Sequence, residues 1–571
     1  MASRKLGGLD GSQMGTGARA GGARWGRREL AHVALLFLLT ALHWAPRLRG
    51  PIDLRYDAGV YYVLGTSLAE GRGYRLLNEP GAIEAVQYPP LLPAWVALHE
   101  LVLGTDDALV VGQALRLSSA ALSFAFALAL YALARRALPG GSALLASVVA
   151  VLYFHVIYLE DLCFAEQPFA LVVVLFLLVL AQRGRGARVA EYALALAAFF
   201  LRTAGVALFV AWIVEALTRR RWNAAAGRAL ASLLAMAAWQ THVYRVTHGP
   251  EYAAPTYAYQ RAPYQFYNVS YAENVALRDP FVPEGGRIRP VELGARVLGN
   301  LGALASDLGE SVSAPRGFWE WPLKWLDKRG VHLWLWPVAV PLLLLSLFVL
   351  AGHVALWRAD WRLLVLFSAF SLGLVALTPW PGQFSRYLAP LTPLLTIALA
   401  RGLDLLRAPA CGRTGRWAYP ALWTLVLCVQ AFTLRQTFAV YHHSLTYHGR
   451  AGERVRGSLF LYDEGPGWNA YYDGLWWLQE HSAPEDVVAT SAPHLVYLHT
   501  GRKAVMPPLE IDAERAQELL DSVPARWLVV DELRFVDISR RYARPLIRAH
   551  PELWEEAYRD ADGRLTIYRR R

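Results

Sequence analysis

Apolar runs long enough to enter or cross a bilayer recur from residue 30 to residue 440, parted by short turns that carry arginine clusters. Inside a bilayer every backbone N–H and C=O must find its partner within the segment, so such runs fold as helices. They fall at 30–46, 108–133, 141–158, 165–182, 190–201, 203–218, 225–243, 332–356, 361–378, 387–405 and 417–440, which makes about eleven spans. The composition agrees: 55% of residues are hydrophobic, 18% are charged, and the mean hydropathy is +0.26. The expected fold is mainly α, a polytopic membrane protein.

Two of these runs, 190–201 and 203–218, are short for a crossing at a rise of about 1.5 Å per residue. They are expected to form a pair that turns at Arg202-Thr203 near the outer surface. The first run has no small-residue cleavage site after it and reads as an anchor rather than a signal peptide. Residues 1–29, rich in Gly, Ala and Arg, are expected to be a disordered cytoplasmic tail.

The net charge of +11 could point to nucleic acid, but its distribution points to topology. Basic clusters at Arg135-Arg136, Arg183–Arg188, Arg219–Arg221, Arg358–Arg362 and Arg407–Arg416 each lie between apolar runs. With the N-terminus inside, all five fall on the cytoplasmic side. Loops 47–107 and 244–331, the Glu160-Asp161 turn, Arg202, Pro379–Arg386 and the region from 444 then lie outside. The membrane and its lipids, not nucleic acid, are the expected surroundings. An Arg/Ala/Leu-rich chain of this kind points to a bacterial inner membrane. Cys163, Cys411 and Cys428 are too scattered for a disulfide framework or a zinc site.

From residue 444 to 571 the composition becomes that of a soluble α/β domain placed outside the cell. Asp486–Thr490, Trp527–Val530 and Leu565–Tyr568 read as strands, and Ala513–Leu520 as an amphipathic helix capped by Asp512. Val291–Leu308 in the large loop has helical apolar spacing suited to the interface plane. His442, His443 and His448 read as a solvated turn after the last span, and Asn268-Val269-Ser270 as a chance sequon.

The chemistry-bearing residues concentrate at the outer ends of the spans. Asp57 stands in Leu54-Arg55-Tyr56-Asp57-Ala58-Gly59-Val60-Tyr61-Tyr62, and Gln87-Tyr88-Pro89-Pro90-Leu91-Leu92-Pro93 follows in the same loop. Arg202 lies at the apex of the short pair, and an arginine near membrane depth is a functional candidate by default. Glu166 lies in Phe164-Ala165-Glu166-Gln167-Pro168-Phe169, and Arg386 in Gln383-Phe384-Ser385-Arg386-Tyr387-Leu388-Ala389-Pro390.

Together these stretches resemble the GT-C glycosyltransferases, which take sugars from polyprenyl-phosphate lipids, and in particular their bacterial branches near the protein O-mannosyltransferases and the lipid A aminoarabinose transferases. The second acid that often follows the first-loop aspartate is replaced by Ala58. The resemblance implies a sugar moved from a polyprenyl-phosphate donor to a protein, lipid or glycan acceptor, with inversion at the sugar carbon. It implies Asp57 as catalytic base, Arg386 and Arg202 on the donor phosphate, and Tyr56, Tyr61, Tyr88 and Glu166 around the substrate. A divalent cation (Mg or Mn) bridging Asp57 with Glu160 or Asp161 is compatible with oxygen ligands, and so is a metal-free site. A secondary transporter or flippase, and an envelope-assembly scaffold without catalysis, remain as alternative readings.

Overall fold

The computed structural model describes residues 25–571 except 264, 333, 335, 451, 461–464 and 534–536. The disordered tail expected at 1–29 therefore lies outside the described residues over 1–24, and the first helix already begins at Arg27.

Each expected apolar run is helical. Among the described residues, five helices are long and apolar enough to cross a membrane: Arg27–Arg47, Ala108–Ala137, Trp336–Arg358, Phe384–Arg407 and Pro409–Val440. A sixth span is counted if Gly140–Val151 and Phe154–Asp161, bent by 48°, act as one. Glu166–Leu180, Thr203–Thr218 and Arg362–Leu377 are apolar but shorter. The count of eleven is thus not reached on length and composition. Arg185–Leu201 and Trp222–Thr247 carry charges that hydropathy alone does not reward. Those charges meet each other: Arg228 donates to Glu215 Oε2 at 2.8 Å and Glu191 Oε1 at 2.9 Å, tying three helices at one end. The chain is an integral membrane protein by its apolar helices and its fold.

The first large loop, 47–107, is more structured than its Tyr, Pro and Gly content suggests. It contains helix Asp57–Ala69 and the apolar helix Leu91–Leu103, which ends on Gly104 in the left-handed region at φ 67°. Helix Asp57–Ala69 starts abruptly. Tyr56, just before it, has φ 59° and ψ −139°, a conformation that costs a non-glycine residue about 1–3 kcal/mol. The large loop contains Pro290–Ser311, which packs on Trp336–Arg358 and Arg362–Leu377.

At the C-terminal end a five-stranded sheet has the order Lys503–Val505, Val487–Ala489, Ala525–Asp531, Leu565–Arg570, Trp554–Arg559. The first three strands are parallel and the last two antiparallel to their neighbours. Helix Ala513–Asp521 follows the expected cap, with Asp512 Oδ1 accepting from Arg515 N at 3.1 Å. The three expected strands are all present. The expected histidine turn is instead a strand, His442–His448, paired with Arg454–Phe460. This region docks on both large loops: Ala504 N donates to Asn78 O at 2.8 Å, and Tyr259 Oη to Met506 O at 3.1 Å.

Candidate active site

Four charged side chains drawn from distant parts of the sequence meet in one cavity of about 440 Å³. Asp57 is the first residue of its helix, and Glu166 is the first of helix Glu166–Leu180. Two helix N-termini, with their free N–H groups and positive dipole ends, therefore face the same space. Arg202 occupies the extended link between Arg185–Leu201 and the turn Thr203–Gly205. Arg386 rides on the short helix Phe384–Leu388, with Pro390 directly beyond it.

The charges are paired through one fork. Arg386 donates from Nη2 to Asp57 Oδ2 at 2.8 Å and from Nε to Glu166 Oε1 at 2.9 Å. Arg202 Nη1 lies 2.6 Å from the same Glu166 oxygen. Glu166 is only 3% exposed, whereas Asp57, Arg202 and Arg386 keep about a fifth of their side-chain surface open to the cavity. Arg386 also lies over the Phe164 ring, 4.2 Å from its centroid. Two cations against two anions, with one cation shared, is an arrangement that an incoming anion can rearrange without leaving a buried charge alone.

Tyrosines wall the carboxylate side. Tyr61 and Tyr88 line the cavity with ring centroids 4.8 Å apart. Tyr267, from the large loop, lies close enough to Asp57 for that carboxylate's charge to act on its hydroxyl. Burial first, and then the Asp57 charge, raise the Tyr267 hydroxyl well above the ordinary phenol range, so it stays protonated. Phe266, Tyr271, Phe281 and Trp380 line the cavity as well, with Phe266 and Trp380 rings 5.8 Å apart and edge-on. Leu374 and Leu377, from Arg362–Leu377, and Val206 supply an apolar flank toward the bundle.

The structure brings together six of the nine expected site residues: Asp57, Tyr61, Tyr88, Glu166, Arg202 and Arg386. Tyr56 does not line the cavity; its ring packs edge-on against Trp468 at 5.9 Å. Glu160 and Asp161 do not reach the cavity either. They are buried against Arg47 and Arg116, with Arg116 Nη1 at 2.8 Å and Arg47 Nε at 3.3 Å from Asp161 Oδ1, and Arg47 Nη1 at 3.6 Å from Glu160 Oε2. The cation bridge expected between Asp57 and these two acids thus has no geometry to support it. Among the described residues, no three His, Cys, Asp or Glu side chains gather where they could hold a metal ion. The residues present do not fit a divalent cation at this position.

Tyr267 and Trp380 are the residues that the sequence reading passed over. The only signal was the aromatic richness of residues 244–330 and of the Trp380 turn, which does not single out individual side chains.

No family model and no curated protein matches the sequence. Solved structures do match. ArnT from Cupriavidus metallidurans in the apo state is 13% identical, with a TM-score of 0.51 over 94% of this chain and 98% of that one. The same protein bound to undecaprenyl phosphate matches with a TM-score of 0.49, at 13% identity and the same coverage. The archaeal oligosaccharyltransferase AglB from Archaeoglobus fulgidus, in complex with an inhibitory peptide and a dolichol-phosphate, is 12% identical with a TM-score of 0.49, over 95% of this chain and 74% of that one. At such identities the likeness to apo ArnT speaks for the fold, which is of the GT-C type along nearly the whole chain.

Proposed function

We propose that this chain is an inverting glycosyltransferase that moves a sugar from a polyprenyl-phosphate donor to an acceptor on the outer face of the membrane. One observation carries the reading: a single cavity joins a carboxylate, two arginines and two helix N-termini to an apolar flank. ArnT, whose apo structure this chain resembles, is also solved bound to undecaprenyl phosphate, and AglB in complex with a dolichol-phosphate, which agrees with the donor class.

The donor's lipid tail lies along the apolar flank, and its phosphate meets Arg386 and Arg202 at the helix ends. Guanidinium forks match phosphate oxygens, and free N–H groups at helix N-termini favour anions. The phosphate exchanges places with the Asp57 carboxylate on Arg386 Nη2, which frees Asp57 to face the acceptor. Glu166 keeps both arginines aimed at the cavity.

Asp57 then accepts the proton of the acceptor hydroxyl or amine as that atom attacks the anomeric carbon. The bond from the anomeric carbon to the phosphate oxygen breaks, and its electron pair leaves with the phosphate. Polyprenyl phosphate is a stable anion and departs without being protonated, so the acid–base pair of glycoside hydrolases is not required. The products are the glycosylated acceptor and polyprenyl phosphate. Direct displacement inverts the sugar carbon. Tyr61, Tyr88 and the aromatic residues of the large loop offer ring faces to the sugar. The region 444–571 stands outside the cell, as the arginine distribution implies, and helps to select the acceptor.

The test is sugar release from a panel of radiolabelled polyprenyl-phosphate sugars by purified wild type and Asp57→Asn. Asparagine keeps size and hydrogen bonding but cannot take the proton. Turnover by wild type that falls by about a hundredfold or more in the variant supports enzyme class and base together. Equal turnover removes Asp57 from the mechanism. No turnover by wild type on any donor sinks the reading.

A further inference from the structure

The C-terminal region reaches the very turn that delivers Asp57. Helix Pro493–Thr500 lies along helix Asp57–Ala69. Its His494 ring comes so close to Gly59 that a methyl group there would lie 2.1 Å from His494 Cδ2. The same ring meets Tyr267 edge-on, with centroids 5.8 Å apart and planes at 86°, and the Tyr267 hydroxyl lies within reach of the Asp57 charge. Trp468, on helix Gly465–His481, covers the other side of the turn. Its ring packs on Tyr56 and lies 5.1 Å from the Arg55 guanidinium, which is itself clamped to Asp53 at 2.6 Å. Neither Trp468 nor His494 lines the cavity, so neither touches the substrate directly.

His494 is an odd choice for this place. It is 1% exposed, and neither ring nitrogen has a hydrogen-bond partner among the described residues. Burial pushes it down to about 3, so the ring is neutral at physiological pH. A buried polar ring without partners contributes through its shape and edge contacts, not through charge. Those contacts fall on the helix that starts with Asp57 and on the tyrosine beside it.

We infer that His494 is a positioning residue for glycosyl transfer: wedged between Gly59 and Tyr267, it fixes the first turn of helix Asp57–Ala69 and the tyrosine beside it, and so sets how the Asp57 carboxylate faces the acceptor. The inference rests on the proposed glycosyltransferase reading, and it makes the site incomplete without the C-terminal region.

The experiment uses the full chain with His494→Ala, His494→Phe, Tyr267→Phe and the double variant Tyr267→Phe/His494→Ala. Two quantities are read: sugar release from the labelled donor panel, and equilibrium binding of unlabelled polyprenyl phosphate. His494→Ala is expected to lower turnover about tenfold or more while phosphate binding stays within about twofold, because Arg202 and Arg386 are untouched. His494→Phe, which keeps a ring, should stay within about threefold of wild-type turnover. The double variant should be no slower than the slower single, since both changes act through the placement of one carboxylate. Wild-type turnover in His494→Ala overturns the inference. So does a parallel loss of turnover and phosphate binding, a phenylalanine variant as slow as the alanine one, or multiplied losses in the double variant. A wild type silent on every donor overturns the glycosyltransferase reading and this inference together, whereas an active wild type isolates the inference.

Discussion

Arg386 holds Asp57 through a 2.8 Å hydrogen bond from Nη2 to Oδ2, and its Nε reaches Glu166 at the same time. Only a guanidinium can serve two carboxylates from two edges in this way. An ammonium is a point charge without the planar fork. Arg386→Lys is therefore expected to weaken polyprenyl phosphate binding by about tenfold to a hundredfold, equivalent to about 1.4–2.7 kcal/mol. Turnover should fall at least as far. Binding measured by competition with a labelled donor checks this, and unchanged affinity would move the phosphate away from Arg386.

Asp161 offers the contrasting case of a buried acid outside the cavity. Arg47 and Arg116 both lie against its Oδ1, and all three side chains are almost wholly buried. Asp161→Asn leaves two buried cations short of one compensating charge, which costs about 3–5 kcal/mol. The thermal midpoint should drop by several degrees while turnover per folded molecule stays near wild type. A stable variant with lost activity would instead return Asp161 to a direct role in the reaction.

How far the site can be read from the sequence follows from what each residue borders. Asp57, Glu166, Arg202 and Arg386 each stand close to the end of an apolar run, and the arginine distribution is enough to expect them on one side of the membrane. Their convergence on a single fork depends on how the helices pack side by side, which no local pattern encodes. The same gap explains Glu160 and Asp161. Two exposed-looking acids in a turn are in fact partners of Arg47 and Arg116, the latter within an apolar helix. Tyr56 shares the tyrosine-rich loop with Tyr61 but points the other way, because the positive φ just before the helix turns its ring to Trp468. In the C-terminal region the buried strands announce themselves by continuous apolar runs. The contact of His494 with Gly59 joins residues more than four hundred positions apart and has no trace in either neighbourhood.

The arginine distribution makes a prediction about sidedness. Cys411 is exposed in the Arg407–Arg416 turn, Cys428 is exposed on the apolar helix Gly412–Gln436, and Cys163 is buried. In a Cys428→Ser background, a membrane-impermeant maleimide should label Cys411 in inside-out vesicles and not in intact cells. A cysteine introduced at exposed Glu552 should show the opposite pattern. Labelling of both from the same side would overturn the assignment of the C-terminal region to the outer face.

Asp531 gives the C-terminal region a pH signature. Its carboxyl, at the end of strand Ala525–Asp531, is buried, accepting from Ser491 Oγ at 2.6 Å and Leu533 N at 3.0 Å. Desolvation outweighs these bonds and pushes it up from 3.8 to about 6. The folded state therefore holds a proton that the unfolded chain releases between about pH 4 and pH 6. Stability contributed by the protonated form is fully present below that window and is lost as pH rises through it, by about 2–3 kcal/mol in all. Asp531→Asn cannot ionise, so its stability relative to wild type should rise across the same window and level off above it. Thermal unfolding of the two proteins at half-unit pH steps from pH 4 to pH 8 reads the difference directly. A difference that stays flat across those steps would mean that Asp531 keeps its ordinary acidity despite its burial.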